Sequence, residues 1–153
     1  MSKLSRLLPT AARSLLGLTF VVFGLNGFLH FLPQPPLPEA ALPFLGGLAK
    51  AGYFFPLLKG LEVLAGVLLL SGRFVPLALA VLAPIIVNIA AFHLILAPSF
   101  GMVALLVGLE VYLAWSYRDA FAPMLRARVA PTTAPASLRD GAIGGSTGAT
   151  TAA

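Results

Sequence analysis

The residues of this chain best able to do chemistry are Asn26, His30, Lys59, Glu62, Asn88, His93 and Glu110, and all of them stand inside strongly apolar stretches. Two carboxyls and two imidazoles can carry protons, while the ammonium and the amides can donate hydrogen bonds to a carbonyl. Spacing adds to this. Asn26 and His30 are four apart and Lys59 and Glu62 three apart, so on a helix each pair shares a face. Asn88 and His93 are five apart, which separates them by ~140° on a regular helix. Either a distortion near Pro84 realigns them or only one points inward.

The elements that must position these groups follow from composition. The chain has 153 residues, 59% apolar and only 10% charged, against ~25% charged in soluble domains. Its mean hydropathy is +0.96. A soluble fold of this size cannot hide that much apolar surface, so the partner is a lipid bilayer. A span needs ~20 mostly apolar residues, and the sequence places spans at 14–32, 53–70, 74–96 and 100–115. The expected fold class is all-α, an integral membrane four-helix bundle. Between spans one and two, PQPPLP at 33–38 cannot continue a helix, and 39–52 is too short and too interrupted to cross. It is expected to lie as an interfacial segment over the outer mouth. Residues 1–13 are a basic lead-in, residues 14–118 the membrane domain, and 119–153 an Ala/Thr/Gly/Pro-rich tail expected to be disordered.

Charge fixes the orientation. With the N-terminus in the cytoplasm, eight Lys and Arg side chains (Lys3, Arg6, Arg13, Arg73, Arg118, Arg126, Arg128 and Arg139) lie inside, and only Lys50 lies outside. This is the positive-inside pattern, with both termini cytoplasmic. The net charge of +5 is spread over span ends and forms no basic–aromatic patch, so no nucleic acid partner is expected. The first apolar run is longer than a signal-peptide core and meets Pro33 rather than a cleavage site, which favours an uncleaved span. Cysteine is absent, so the chain has no thiol chemistry of its own.

Threaded this way, the hydrophilic groups gather at one depth. From the outer end of each span the helical rise puts His30 at ~3 Å, His93 at ~5 Å, Asn26 and Lys59 at ~9 Å, Asn88 at ~12 Å, Glu62 at ~13 Å and Glu110 at ~15 Å. Ionisable groups in a membrane are costly and mark functional sites by default. His93 and Glu110 lie without an obvious partner close in sequence and carry the strongest case. Lys59 gives one positive charge against Glu62 and Glu110, and Glu110, deepest and without a cation on its own helix, is expected to be the neutral one. Each residue also has a plainer use. Lys59 with Glu62 can be an intrahelical ion pair, Asn26 and Asn88 can be interhelical glue, and His30 can be an interfacial residue. No residue is assigned a catalytic role, and whether the chain is an enzyme is left open.

Residues 13–96 resemble the DoxX family of small bacterial four-span membrane proteins. The marks are R-x3-G-x6-G…H in span one (Arg13, Gly17, Gly24, His30), K-x2-E-x3-G (Lys59, Glu62, Gly66), the Ser71-Gly72-Arg73 turn, and N-x4-H (Asn88, His93). The resemblance implies a four-helix protein of the bacterial inner membrane with an interfacial segment after span one. Some relatives are subunits of a thiosulfate:quinone oxidoreductase, and others are associated with oxidative-stress enzymes.

Three functions are consistent with these residues. The first is a membrane subunit of a redox complex that binds a quinone headgroup in the polar layer, where a carbonyl meets a His or Lys donor. With no GxGxxG, Walker or CxxC pattern, flavin or dithiol chemistry would belong to a partner redox subunit, and no intrinsic cofactor is expected. The second is a proton- or solute-handling carrier, with dimerisation supplying the missing half of a path. The third is a scaffold with a purely structural polar core. A metal site is not expected, and a haem between His30 and His93 rests on two histidines without further spacing cues. Homo-oligomer formation is open.

Overall fold

The computed structural model describes residues 3–33, 36–129 and 131, with side chains from residue 7 onward. All regular structure among them is helical: α1 (Lys3–Leu29), α2 (Leu42–Lys50), α3 (Phe54–Ser71), α4 (Val75–Ile95), α5 (Phe100–Ser116) and α6 (Arg118–Phe121), with 3-10 turns at Glu39–Ala41 and Ala122–Leu125. Three helical segments are long and apolar enough to cross a membrane, Leu7–Leu29, Phe54–Ser71 and Val75–Ile95. Helix α5, at 17 residues, reaches that length only when taken with Arg118–Leu125. The outward surface agrees with a multi-pass membrane protein. Leu29, Val87, Ile95 and Val111 are all more than 60% exposed, large apolar side chains of the kind that face lipid.

Contact between helices starts from glycine. On α1, Gly17 faces Gly66 of α3 so closely that a Cβ on either would come within 2.9 Å of the other's carbonyl oxygen. One turn further along α1 comes Val21, whose backbone and side chain also touch Gly66, and then Gly24 meets Val63 and Glu62. Gly27 lies under the Lys59 side chain. As numbers rise on α1 they fall on α3, so the two helices run antiparallel. Where no apolar effect drives helix association in lipid, such close backbone approach is what holds helices together. Helix α1 also packs against α5, and α4 packs against both α3 and α5. Leu16, Leu69, Leu79, Leu82 and Leu113 from these four helices are fully buried.

The ends are set by local chemistry. Gly72 closes α3 in the left-handed conformation, φ 71°, which costs a residue without a Cβ nothing. The Arg13 guanidinium lies against it from α1. Ser71 Oγ accepts from the Arg73 N–H at 3.2 Å, and Pro76 opens α4 at a position where a missing N–H does no harm. Helix α4 continues unbroken through Pro84. Helix α2 has no buried residue, but Phe44 rests on Phe92 of α4 with ring centroids 6.0 Å apart.

Residues 3–13 of the expected basic lead-in are helical and continuous with the rest of α1, which runs through Pro9. The chain divides into two units at Arg118/Asp119, and within the stretch expected as a tail residues 119–125 are helical, in α6 and the 3-10 turn Ala122–Leu125. Residues 132–153 lie outside the described residues.

Candidate functional site

A cleft of about 360 Å3 opens between α1 and α3, lined by Phe23, Asn26, Gly27, His30, Phe55 and Lys59. Its floor exists because Gly27 has no side chain. The Lys59 stem lies across it, and a Cβ there would fall 2.5 Å from Lys59 Cγ. Laid flat in this way, Lys59 Nζ donates to Glu62 Oε2 at 2.8 Å. The Lys59 side chain keeps 24% of its surface exposed while that of Glu62 keeps 3%. The ammonium has three N–H groups, and among the described residues its bond to Glu62 uses one of them.

The other wall is the end of α1. His30 follows the last helical residue with φ 52°, a left-handed conformation that costs a residue with a Cβ roughly 1–2 kcal/mol. The His30 N–H donates to the Asn26 carbonyl at 2.9 Å, and Asn26 Oδ1 accepts from the Leu32 N–H at 2.7 Å. Asn26 is buried, and its amide oxygen replaces the helical acceptor the backbone loses as it turns. The price of the turn is a strained histidine, which exposes its ring at the cleft mouth.

The remaining expected residues are elsewhere. His93, half-buried, bonds through Nδ1 to the Ala97 carbonyl at 3.0 Å, and its own carbonyl accepts from the Ser99 N–H at 2.9 Å. It therefore clamps the α4–α5 turn. A carbonyl only accepts, so Nδ1 carries the proton in this bond. The expectation that His93 lacks a local partner is corrected: the helix ends at Ile95, and the chain doubles back to meet the ring. Asn88 is exposed, outside the arc of α4 that carries the buried Val75, Ala78, Leu79, Leu82, Ile85 and Ile86. The five-residue spacing is not realigned by Pro84, and only His93 turns inward. Glu110 is buried on α5, and its Oε2 has no hydrogen-bond partner.

The seven residues thus divide. Asn26, His30 and Lys59 line one cleft with Glu62 behind Lys59, while His93, Asn88 and Glu110 do not line it. Sequence reasoning missed Phe23 and Phe55, which supply the aromatic walls. Phe23 lies one turn before Asn26 and Gly27, and Phe55 lies one turn before Lys59, so helical spacing alone could have found them. Among the described residues no group of three His, Cys, Asp or Glu side chains could hold a metal ion. Compared with known proteins, the chain matches no family model, no curated protein and no solved structure.

Proposed function

We propose that this chain is the membrane subunit of a quinone-linked redox complex and holds a quinone headgroup in the α1–α3 cleft. The observation that carries the reading is the state of Lys59. Its charge is already balanced by Glu62 at 2.8 Å, yet among the described residues only one of its N–H donors is used. A cleft with donors but little net charge suits a neutral carbonyl better than a phosphate or carboxylate, which would have to compete with Glu62. Phe23 and Phe55 offer ring faces to a flat headgroup, and His30 offers a second donor at the mouth. Phe23, Gly27 and His30 are exposed, so an apolar tail can leave along the outside of the helix pair into lipid.

On this reading four helices, α1, α3, α4 and α5, cross a bacterial inner membrane as a bundle. Both termini are cytoplasmic and α2 lies at the outer interface, the arrangement the DoxX-like motifs also imply. The residues of the cleft bind and orient the ring. The two electrons of quinone reduction come from a partner redox subunit, and the two protons come from water at the interface. Binding of a short-chain benzoquinone or naphthoquinone analogue to the purified protein in nanodiscs tests it. Micromolar binding that weakens at least about tenfold in the doubly substituted Lys59→Met/Glu62→Leu protein, and is unchanged in His93→Ala, supports the reading. No saturable binding, or equal loss in both variants, refutes it.

A second reading, a proton- or solute-handling carrier, draws on Glu110, buried with an unpartnered oxygen. Uptake into proteoliposomes that disappears in Glu110→Gln would favour it.

A further inference from the structure

The outward face of α4 carries an amide that nothing among the described residues satisfies. Asn88 is exposed and its side chain makes no hydrogen bond among the described residues. It sits seven residues before the end of a 21-residue helix, roughly 10 Å in from that end at the helical rise. Ala80, Pro84 and Ala91 are exposed on the same side. At 100° per residue these four positions fall within an arc of about 80°. The buried residues of α4 occupy the opposite arc, so this face takes no part in the protein's own core. Pro84 also has no N–H to return to the Ala80 carbonyl, which leaves a second backbone acceptor without its usual donor.

In hydrocarbon an unsatisfied amide costs several kcal/mol, so the face calls for a hydrogen-bonding partner at the same depth. A second copy of this chain supplies one without further assumption. Two copies inserted in the same orientation bring the same residue of each to the same depth. A carboxamide is both donor and acceptor, so Asn88 is complementary to itself across a two-fold axis, as an isologous contact requires. Single asparagines at the seam of paired helices fix partner and register in this way. The exposed Leu77 and Ile95 fall in the same arc, and the small positions Ala80, Pro84 and Ala91 between them leave room for the corresponding side chains of a second copy to pack while the amides meet.

We infer that the protein forms a parallel homodimer through α4, with Asn88 of each copy hydrogen-bonded to Asn88 of the other. The two clefts between α1 and α3 are then carried on separate subunits, and the dimer stands or falls independently of what the clefts bind.

The absence of cysteine makes the test clean. Single substitutions Ala91→Cys on this face and Val111→Cys on the exposed side of α5 are oxidised in native membranes, and the full-length protein is also followed by dilution in nanodiscs or vesicles with fluorescence energy transfer between copies. The expected result is a disulfide-linked dimer from Ala91→Cys and none from Val111→Cys. Asn88→Leu is expected to weaken self-association on the order of 3- to 30-fold, with Asn88→Gln retaining more of it. Because Asn88 lies outside the core, Asn88→Leu should leave the thermal unfolding of the monomer unchanged. A chain that stays monomeric at every protein-to-lipid ratio overturns the inference. So does a dimer indifferent to Asn88→Leu, or an Ala91→Cys product whose mass shows a different protein attached.

Discussion

The Gly17 and Gly66 backbones are in mutual contact: a Cβ on Gly17 would lie 2.9 Å from the Gly66 carbonyl oxygen, and one on Gly66 would lie 2.8 Å from that of Gly17. The rest of the α1–α3 seam is built on this crossing. Above it Gly24 and Gly27 keep the helices close enough for Lys59 to lie flat, and below it Arg13 reaches Gly72.

A matched pair of substitutions on α3 therefore separates packing from propensity. Gly66→Ala should destabilise by about 1–3 kcal/mol, because backbone atoms on α1 cannot yield to the new methyl. Gly60, six residues earlier on the same helix, has nothing within 4 Å of a Cβ, and Gly60→Ala should stabilise by about 0.5–1 kcal/mol. Thermal or denaturant unfolding in detergent checks both, and equal effects at the two sites would remove the seam from the account.

The Lys59–Glu62 pair should behave as a unit. Lys59→Met should cost about 3–5 kcal/mol by leaving the buried Glu62 carboxylate unpaired, and Glu62→Leu should cost less, because the Lys59 side chain keeps 24% of its surface exposed in the open cleft. The double substitution should recover most of that loss. A double-mutant cycle on unfolding in detergent measures the coupling, and simple additivity would mean that the pair is solvated rather than enclosed.

His30 separates stability from use. Relief of its left-handed backbone in His30→Gly should raise stability by roughly 1 kcal/mol. The same change removes a ring from the cleft mouth and should weaken quinone-analogue binding. Unfolding and equilibrium binding on the same preparation decide it: a variant that gains stability and loses nothing in binding would make His30 a turn residue only.

Glu110 should be dispensable for folding. Its Oε2 is buried without a partner, so Glu110→Leu should be neutral or stabilising by about 1–3 kcal/mol in unfolding experiments. Marked destabilisation would show that the carboxyl is satisfied in the membrane-embedded protein.

Much of this architecture is legible in the chain itself, for identifiable reasons. Apolar runs interrupted by Gly72-centred and Pro98-containing turns leave little choice about where α3, α4 and α5 start and stop, whereas α1 begins at Lys3, well before the apolar run, and ends at Leu29. The glycines at 17, 24, 27 and 66 announce close helix approach. What stays hidden is facing and local turn chemistry. Whether Asn88 or His93 turns inward depends on which face of α4 is buried, and an almost uniformly apolar helix carries no polarity stripe to say so. The partner of His93 arises from a carbonyl beyond the helix end, in a turn whose path the residue types do not specify. Asn26 and His30 read as two members of one helical face, whereas the Asn26 side chain helps end the helix and swings His30 out of it. Grouping seven polar residues by depth alone therefore merges four separate environments.

The central claim is that the α1–α3 cleft takes up a quinone ring, and photolabelling in native membranes tests it most directly. A photoreactive azidoquinone should attach within the peptides carrying Phe23–His30 and Phe55–Lys59, and an excess of unlabelled quinone analogue should suppress the reaction. Label confined to the outward faces of α4 or α5, or spread over all helices and indifferent to competitor, would contradict it.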